Sequence, residues 1–221
     1  MRKGKFIVFD GIDGSGKSTQ IKLLISKLKH EKYNIKFLDF PRYGKPSAVM
    51  VEEYLSGKLG SVDEVDAYQA SVLYAIDRFG ASKDIKKWLN DGYVIVCDRY
   101  TSSNMGHQAG KIKDIKERDR FLEWVNDFEF NILKIPKPDV VVLFDLEPSV
   151  GQMLAHQASK TKIIKDIHEY NHKHLEDAAE AYIYCAKKYG WEVINCNDGF
   201  GYIKPVDVIA KEVYSLVKKK L

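Results

Sequence analysis

The hydrophobic pattern alternates between short continuous apolar runs and longer segments in which apolar residues recur at helical spacing. Five runs are short, apolar and bounded by turn residues, so they predict buried strands: Lys5–Asp10, Ile35–Phe40, Tyr93–Cys97, Val140–Asp145 and Trp191–Cys196. The segments between and after them predict helices: Lys17–Lys32, Ser47–Leu55, Val65–Asn90, Arg118–Leu133, one beginning over Pro148–Gln157, His168–Tyr189 and Pro205–Lys220. Uninterrupted apolar strands that alternate with helices are typical of a parallel sheet with helices on both faces.

The predicted fold is therefore a single α/β domain over residues 1–221 with a parallel sheet of about five strands. In its longest helix, Val72, Ile76 and Phe79 lie three or four residues apart. Residues at this spacing share one face of a helix, and we expect this face to be the one packed on the core.

Composition narrows the class of protein only slightly. Hydrophobic residues make up 45% and charged residues 30%, which is ordinary for a globular protein, and the net charge of +4 is too small to indicate a particular partner. The three cysteines, Cys97, Cys185 and Cys196, have no short paired spacing, so neither a disulfide framework nor a zinc site is predicted. We expect them to be small buried hydrophobes of a cytosolic protein. No run of apolar residues is long enough to span a bilayer.

A phosphate-binding motif follows the first predicted strand. Gly11-Ile12-Asp13-Gly14-Ser15-Gly16-Lys17-Ser18 matches G-x-x-x-x-G-K-[ST] in full, between a buried strand and an amphipathic helix, and Thr19 continues it. Glycines let backbone N–H groups converge on phosphate oxygens, and the helix N-terminus adds positive potential. We expect Lys17 to reach the β- and γ-phosphates of ATP and the Ser18 hydroxyl to help hold Mg²⁺. The fold class is thus narrowed to a P-loop NTPase-type sheet.

A second motif, Asp98-Arg99, follows the third predicted strand. Ligands of parallel sheets bind at the carboxyl ends of the strands, where the P-loop also lies. A carboxylate there suits Mg²⁺, and a planar guanidinium suits bridging of donor and acceptor phosphates. A surface ion pair at a strand end is the alternative interpretation. Because the chain lacks an N-K-x-D guanine-reading motif and is short, a small-molecule kinase is favoured over a GTPase or a large ATPase.

Four segments together resemble the thymidylate kinase family: Phe9–Gln20, Phe40–Gly44 (FPRYG), Leu73–Phe79 (LYAIDRF) and Asp98–Gln108 (DRYTSSNMGHQ). The resemblance lies mainly in the first half of the chain. It implies transfer of the γ-phosphate of ATP to dTMP, giving ADP and dTDP for dTTP biosynthesis. It also implies a homodimer packed through residues 46–90 and a mobile lid at about residues 155–165.

The resemblance also assigns residues that bind the acceptor nucleotide. Asp13 is expected to accept a hydrogen bond from the deoxyribose 3′-hydroxyl, with a turn-forming role as the alternative. Arg42 and Tyr43 are expected at the acceptor phosphate together with Arg99, and a plain strand-exit turn is the alternative at FPRYG.

The base is expected to meet residues of the long helix and of the segment after Asp98-Arg99. Tyr74 would stack on thymine and Arg78 would donate to its O4, unless they are simply a core tyrosine and a solvated arginine paired with Asp77. The resemblance places three further side chains, unless they serve as turn caps, at the pyrimidine edge: Ser103, Asn104 and Gln108.

Two positions depart from the family pattern. His107 stands where bacterial relatives often have tyrosine near the deoxyribose C2′, which puts discrimination against ribonucleotides in doubt. Gly14 and Ser15 exclude a P-loop arginine, yet the lid region Ala155–Lys165 has no arginine either. It offers Lys160, Lys162 and Lys165, and we expect at least one of them to close over ATP; a solvated basic loop is the alternative.

Three other functions compete with this interpretation. A deoxynucleoside kinase would phosphorylate a neutral 5′-hydroxyl with a carboxylate base, a role for which Asp10 is the candidate. A non-catalytic nucleotide-binding module is the second. Nucleic-acid binding through Lys218-Lys219-Lys220 is the third, although a basic helix end more often complements the helix dipole. We expect no nucleic-acid or membrane partner.

Overall fold

The fold is built on a five-stranded parallel sheet. The computed structural model describes residues 3–62, 64–159 and 172–221. The strands are β1 (Lys5–Asp10), β2 (Ile35–Asp39), β3 (Val94–Asp98), β4 (Val140–Asp145) and β5 (Glu192–Asn195), in the order β2-β3-β1-β4-β5. Every neighbouring pair is parallel. All five predicted strands and the α/β class are confirmed, and the ends of the strands differ from the predictions by one residue at most.

Helices cover both faces of this sheet. They are α1 (Lys17–His30), α2 (Val49–Leu55), α3 (Ala67–Asn90), α4 (Thr101–Ser103), α5 (Ile115–Asn126), α6 (Pro148–Ser159), α7 (His172–Tyr189) and α8 (Val206–Lys220). Within β1, Ile7 and Phe9 pack with the buried faces of α1 and α8, whereas Phe6 and Val8 pack with the end of α3. Alternate residues of a strand point to opposite faces, so this division is the expected result of a sheet buried on both sides.

Two helices begin where capping side chains place them rather than where the apolar spacing begins. α3 starts at Ala67 instead of Val65, because Asp66 accepts from the backbone N–H of Gln69 and Gln69 reciprocates. α5 starts at Ile115 instead of Arg118, because Asp114 accepts from the N–H of Glu117.

Two π-helical turns were not predicted, because a wider turn leaves no clear mark in hydrophobic spacing. Asn104–Gln108 continues α4, and Asp127–Ile132 continues α5 over the last part of the predicted helix Arg118–Leu133. Such turns are frequent at functional sites. Both turns carry residues of the site described below.

The predicted apolar face of α3 is wrong in orientation. Ile76 and Phe79 are 44% and 52% exposed, and Val72 is only partly buried. The face turned inward consists mainly of small residues and of an acid and an arginine that are paired within the protein: Ala67, Ala70, Ser71, Ala75, Asp77, Arg78, Ala81, Ser82 and Ile85. Hydrophobic spacing predicts the wrong inward face here because buried ion pairs, rather than aliphatic side chains, form part of the contact between α3 and the rest of the protein.

The three cysteines are buried, as the sequence predicts. Cys97, Cys185 and Cys196 are free thiols and buried, and burial raises the pKa of Cys185 to about 12. In the described ranges, no helix combines the length and the apolar character that crossing a bilayer requires.

Gly106 lets α7 approach the first π-helical turn. A Cβ on Gly106 would lie 2.4 Å from the ring of Tyr182, which is fully buried in α7. The Tyr182 ring cannot move aside easily, because its hydroxyl donates to the Asp10 carboxylate at 2.6 Å. Glycine is therefore required here by space rather than by backbone conformation.

We predict that Gly106→Ala lowers the free energy of unfolding by about 3 kcal/mol, at the upper end of overpacking costs. Gly190→Ala is the matched control: it adds the same methyl group where no atom lies within 4 Å, and costs only its positive φ of 67°, about 1 kcal/mol. Urea unfolding followed by circular dichroism measures both. Equal losses in the two variants would contradict the packing argument.

Candidate active site

The register of β1 and β3 brings the two sequence motifs together. Phe9 of β1 is the partner of Asp98 in β3, and the backbone N–H of Arg99 donates to the Phe9 carbonyl at 2.8 Å. The P-loop leaves β1 one residue beyond Asp10, and Asp98-Arg99 ends β3 beside it. The structure thus places both motifs at one carboxyl edge of the sheet, as a ligand site of an open parallel sheet requires.

Lys17 is folded back onto its own loop. Its ammonium donates to the carbonyls of Gly11 at 2.9 Å and Ile12 at 2.8 Å, and lies 3.3 Å from the Ser15 hydroxyl. Burial and the nearby charge of Arg99 lower the pKa of Lys17. These carbonyl contacts satisfy a buried cation in this structure.

The glycines of the P-loop have different structural roles. Gly16, with φ of 82°, precedes the first turn of α1, where backbone N–H groups point outward. Gly14, with φ of 80°, also lies against α6: a Cβ there would come within 1.9 Å of the Gly151 carbonyl oxygen. The loop is therefore packed against the helix that leads to the predicted lid. Thr19 is exposed at the start of α1, its N–H bonded to Gly16.

Ser18 in the first turn of α1 contacts Asp98 at the end of β3. The Ser18 hydroxyl donates to Oδ2 of Asp98 at 3.0 Å, whereas Oδ1 of Asp98 is buried and has no hydrogen-bond partner in the described chain. A buried carboxylate oxygen without a donor is costly unless something else binds it. In the ranges 3–62, 64–159 and 172–221 there is no cluster of three or more potential metal-binding side chains.

Arg99 is held by Asp13 and His107. Its Nη2 donates to Oδ1 of Asp13 at 2.5 Å, and its Nη1 lies 3.0 Å from Nε2 of His107, which accepts because a guanidinium only donates. Burial alone would raise the pKa of the Asp13 carboxyl, but the charges of Arg99 and Lys17 lower it well below its usual range. Arg99 also has a φ of 64°, an uncommon conformation that often marks functional positions.

The buried Asp10 carboxylate accepts hydrogen bonds from four donors. The hydroxyls of Ser102, Ser103 and Tyr182 donate to its carboxylate at 2.6 to 2.9 Å, and the N–H of Gly11 donates at 3.0 Å. Arg99 lies 3.8 Å away. Burial and the charge of Asp10 raise the pKa of Tyr182 well above its usual range. Ser102 and Tyr182 were not predicted as site residues, since a serine beside a motif and a tyrosine in a distant helix give no local signal.

Arg42 is anchored to α3 through Asp77. Its Nε donates to Oδ1 of Asp77 at 3.0 Å, its backbone N–H donates to Oδ2 at 2.7 Å, and its Nη2 donates to the Ser47 hydroxyl at 2.7 Å. The alternative that Asp77 pairs with Arg78 is therefore wrong. Tyr43, the next residue, is 59% exposed.

Arg78 is buried rather than solvated. Its Nε and Nη2 donate to the two carboxylate oxygens of Glu129 at 2.6 and 2.7 Å, and its Nη1 lies 3.3 Å from the Tyr100 carbonyl. Glu129 also accepts from the Thr101 hydroxyl and from Nδ2 of Asn104. Glu129 escaped prediction because it lies in a segment that reads as an ordinary amphipathic helix.

The remaining base-site candidates are half-buried or buried. Tyr74 packs edge-on against Tyr54, with ring centroids 6.2 Å apart. Gln108 is 2% exposed, and its Oε1 has no hydrogen-bond partner in the part of the chain that the structure describes. Ser103, in contrast, donates its hydroxyl to Asp10. Lys160, Lys162 and Lys165 lie outside the described residues.

Comparison with known proteins identifies relatives of this chain. The family model described as thymidylate kinase matches residues 9–195. A thymidylate kinase of Plasmodium falciparum is 32% identical over 181 residues, which cover 80% of each chain. A probable thymidylate kinase of Methanocaldococcus jannaschii is 31% identical over 212 residues, covering 91% of this chain and 96% of its own.

A solved structure shows the same fold. A thymidylate kinase of Candida albicans superposes with a TM-score of 0.72 at 21% identity, covering 98% of this chain and 92% of the other. The predicted P-loop NTPase-type sheet is thereby confirmed. Because the family model matches residues 9–195, which is most of this chain, the chain belongs to the thymidylate kinase family.

Proposed function

We propose that the chain is an ATP-dependent nucleoside-monophosphate kinase that transfers the γ-phosphoryl group of ATP to dTMP. The observation that carries this proposal is the meeting of the P-loop with Arg99 at one sheet edge, next to a second arginine, Arg42, at the end of β2. Phosphoryl transfer spreads negative charge over the transferring oxygens, so positioned cations supply most of the catalysis.

ATP binds in this proposal through the backbone amides of the loop Gly11–Ser18 and the first turn of α1, which includes Thr19. Lys17 leaves the carbonyls of Gly11 and Ile12 when the triphosphate arrives, and its ammonium then contacts the β- and γ-phosphates. The intact set of Lys17, Ser18, Asp98 and Arg99 supports a catalytic protein over a module that only binds nucleotide.

Arg42 and Arg99 hold the acceptor phosphate in line with the donor. That phosphate is already anionic at neutral pH, so transfer needs no strong base. The rival deoxynucleoside kinase needs a carboxylate free to accept a proton from a hydroxyl. Asp10 is a poor candidate for this base, because four donors already occupy its oxygens.

The sugar and base occupy the space between α3 and the first π-helical turn. Asp13 accepts from the 3′-hydroxyl, and His107 lies beside the sugar, with both residues oriented by Arg99. Tyr74 stacks on thymine. Arg78, Asn104 and Gln108 face its polar edge, whereas the Ser103 hydroxyl is committed to Asp10.

Mg²⁺ accompanies ATP in this proposal, held by Ser18 and Asp98. The buried, partnerless Oδ1 of Asp98 supports this assignment, and hydroxyl and carboxylate oxygens suit the ion. Mg²⁺ is commonly bound by one or two protein groups together with phosphates, so a larger cluster is not required. When bound, it neutralises charge on the phosphates. Lys160 or Lys162 remains our candidate for the lid cation.

We expect no nucleic-acid function for the basic C-terminus. Lys218 pairs with Glu31 at 2.5 Å and Lys220 with Glu192 at 2.6 Å, so two of the three lysines already serve the fold.

We predict that the protein turns over dTMP at least about a hundredfold faster than thymidine, because thymidine gives Arg42 and Arg99 no phosphate to bind. A coupled ADP-release assay with each acceptor measures this. Faster turnover of thymidine would favour the deoxynucleoside kinase instead.

Two variants tie that activity to this loop. Lys17→Ala removes the cation from the transferring phosphate and is expected to lower turnover about a thousandfold. Lys22→Ala removes an exposed lysine from the same helix and is expected to leave turnover unchanged. Equal activity in the two variants would assign the turnover to a contaminant or another site.

We also propose a homodimer packed through α2 and α3. Its support is the exposed apolar set that the fold leaves on these helices: Val49, Met50, Ile76 and Phe79. Light scattering after size exclusion is expected to give twice 25.3 kDa, and Phe79→Glu to give the monomer mass. Phe200→Glu, at an 86% exposed residue elsewhere, is the control and stays dimeric. A wild-type monomer would contradict the proposal.

A further inference from the structure

Glu129 joins the two side chains that are proposed to read the base. It lies on the second π-helical turn and is 1% exposed. Its carboxylate meets Arg78 from α3 and Asn104 from the first π-helical turn. We propose that Glu129 is a positioning residue that sets the hydrogen-bonding polarity of the base pocket and thereby selects thymine over cytosine. This inference rests on the proposed function.

The Asn104 amide has only one orientation compatible with its surroundings. Its nitrogen lies 3.2 Å from the Ser71 carbonyl oxygen and 3.3 Å from Oε1 of Glu129. A carbonyl oxygen only accepts, and so does a carboxylate that is paired with a guanidinium. The NH₂ group must therefore face both of them, which leaves Oδ1 as the Asn104 side-chain atom that can accept from a ligand. Glu129 thus makes Asn104 an acceptor toward the pocket.

Arg78 is fixed by the same carboxylate as a donor. The two bonds to Glu129 use its Nε and Nη2 in a fork, and Nη1 turns toward the Tyr100 carbonyl. Further N–H groups remain on both terminal nitrogens, and a guanidinium has no acceptor at all. The pocket edge therefore offers a donor from Arg78 beside an acceptor from Asn104.

This order of donor and acceptor matches one class of pyrimidine. Thymine has an acceptor at O4 and a donor at N3–H, whereas cytosine has a donor amino group at C4 and an acceptor at N3. Cytosine would place donor against donor and acceptor against acceptor, and each buried mismatch is penalised. Uracil has the same edge as thymine, so Glu129 does not separate those two bases.

Glu129 itself has no capacity left for the nucleotide. Each carboxylate oxygen accepts two bonds: Oε2 from Nε of Arg78 and from the Thr101 hydroxyl, Oε1 from Nη2 of Arg78 and from Asn104. It therefore acts through its neighbours and is not a catalytic residue.

The test is the ratio of kcat/KM for dTMP to kcat/KM for dCMP in Glu129→Gln. Glutamine keeps only one acceptor oxygen, so it cannot hold both Arg78 and the Asn104 amide, and the donor and the acceptor that face the base lose their fixed positions. We expect the ratio to fall about tenfold or more, chiefly through a higher KM for dTMP, with an unchanged KM for ATP. If Glu129 had a purely structural role, the substitution would lower kcat/KM equally for dTMP and dCMP and leave the ratio unchanged.

Glu180→Gln is the control for loss of an arginine–carboxylate pair. It removes the carboxylate partner of Arg118, another mostly buried arginine, at 2.9 Å and outside the nucleotide site. We expect the wild-type ratio in this variant. A fall of the same size would show that loss of any such pair alters the ratio, and would overturn the inference.

Glu129→Asp keeps the test valid if Glu129→Gln fails to fold. It retains a negative charge for the buried Arg78, while the shorter side chain withdraws its oxygens from Asn104. The ratio is expected to fall in this variant too. An unchanged ratio in a folded Glu129 variant, with wild type still preferring dTMP, would overturn the role of Glu129 alone. A wild type that does not prefer dTMP would instead overturn the proposed function.

Discussion

The site depends on the parallel pairing of β1 with β3. That register sets Phe9 beside Asp98 and lets the Arg99 N–H donate to the Phe9 carbonyl. A shift by one residue would turn every side chain of β3 to the other face and would move Asp98 and Arg99 away from the P-loop. The alternating burial of β1 against α1 and α8 on one side and α3 on the other opposes such a shift. The geometry of phosphoryl transfer is therefore fixed by the same apolar pattern that stabilises the sheet.

Within that frame, each arginine of the site is oriented by a carboxylate of the protein. Asp77 holds Arg42, Glu129 holds Arg78, and Asp13 holds Arg99. Pairing satisfies these cations while no nucleotide is bound, and it restricts long side chains that would otherwise lose conformational freedom on binding. Removing one partner of a buried pair leaves an uncompensated charge, so these acids are expected to affect both folding and binding.

The sequence predicted the parts of this account that depend on local pattern. Strands, the P-loop and the Asp98-Arg99 turn lie where apolar runs and glycines indicated. The inward face of α3 was predicted wrongly, because Asp77 and Arg78 are buried by partners 22 or more residues away in sequence, and Ile76 and Phe79 point outward. Glu129 and Tyr182 were missed for the same reason: each reaches the site only through packing between distant elements. The lid lysines, which lie outside the described residues, stay a prediction.

In the proposed complex, the carboxyl edge of the sheet binds ATP, and Arg42 and Arg99 hold the phosphate of dTMP opposite it. A crystal structure of the protein with dTMP and a non-hydrolysable ATP analogue tests this most directly. The account predicts the triphosphate along the loop Gly11–Ser18, the dTMP phosphate within hydrogen-bond distance of both arginines, and the thymine ring against Tyr74. A dTMP phosphate bound away from Arg42 and Arg99 would contradict it.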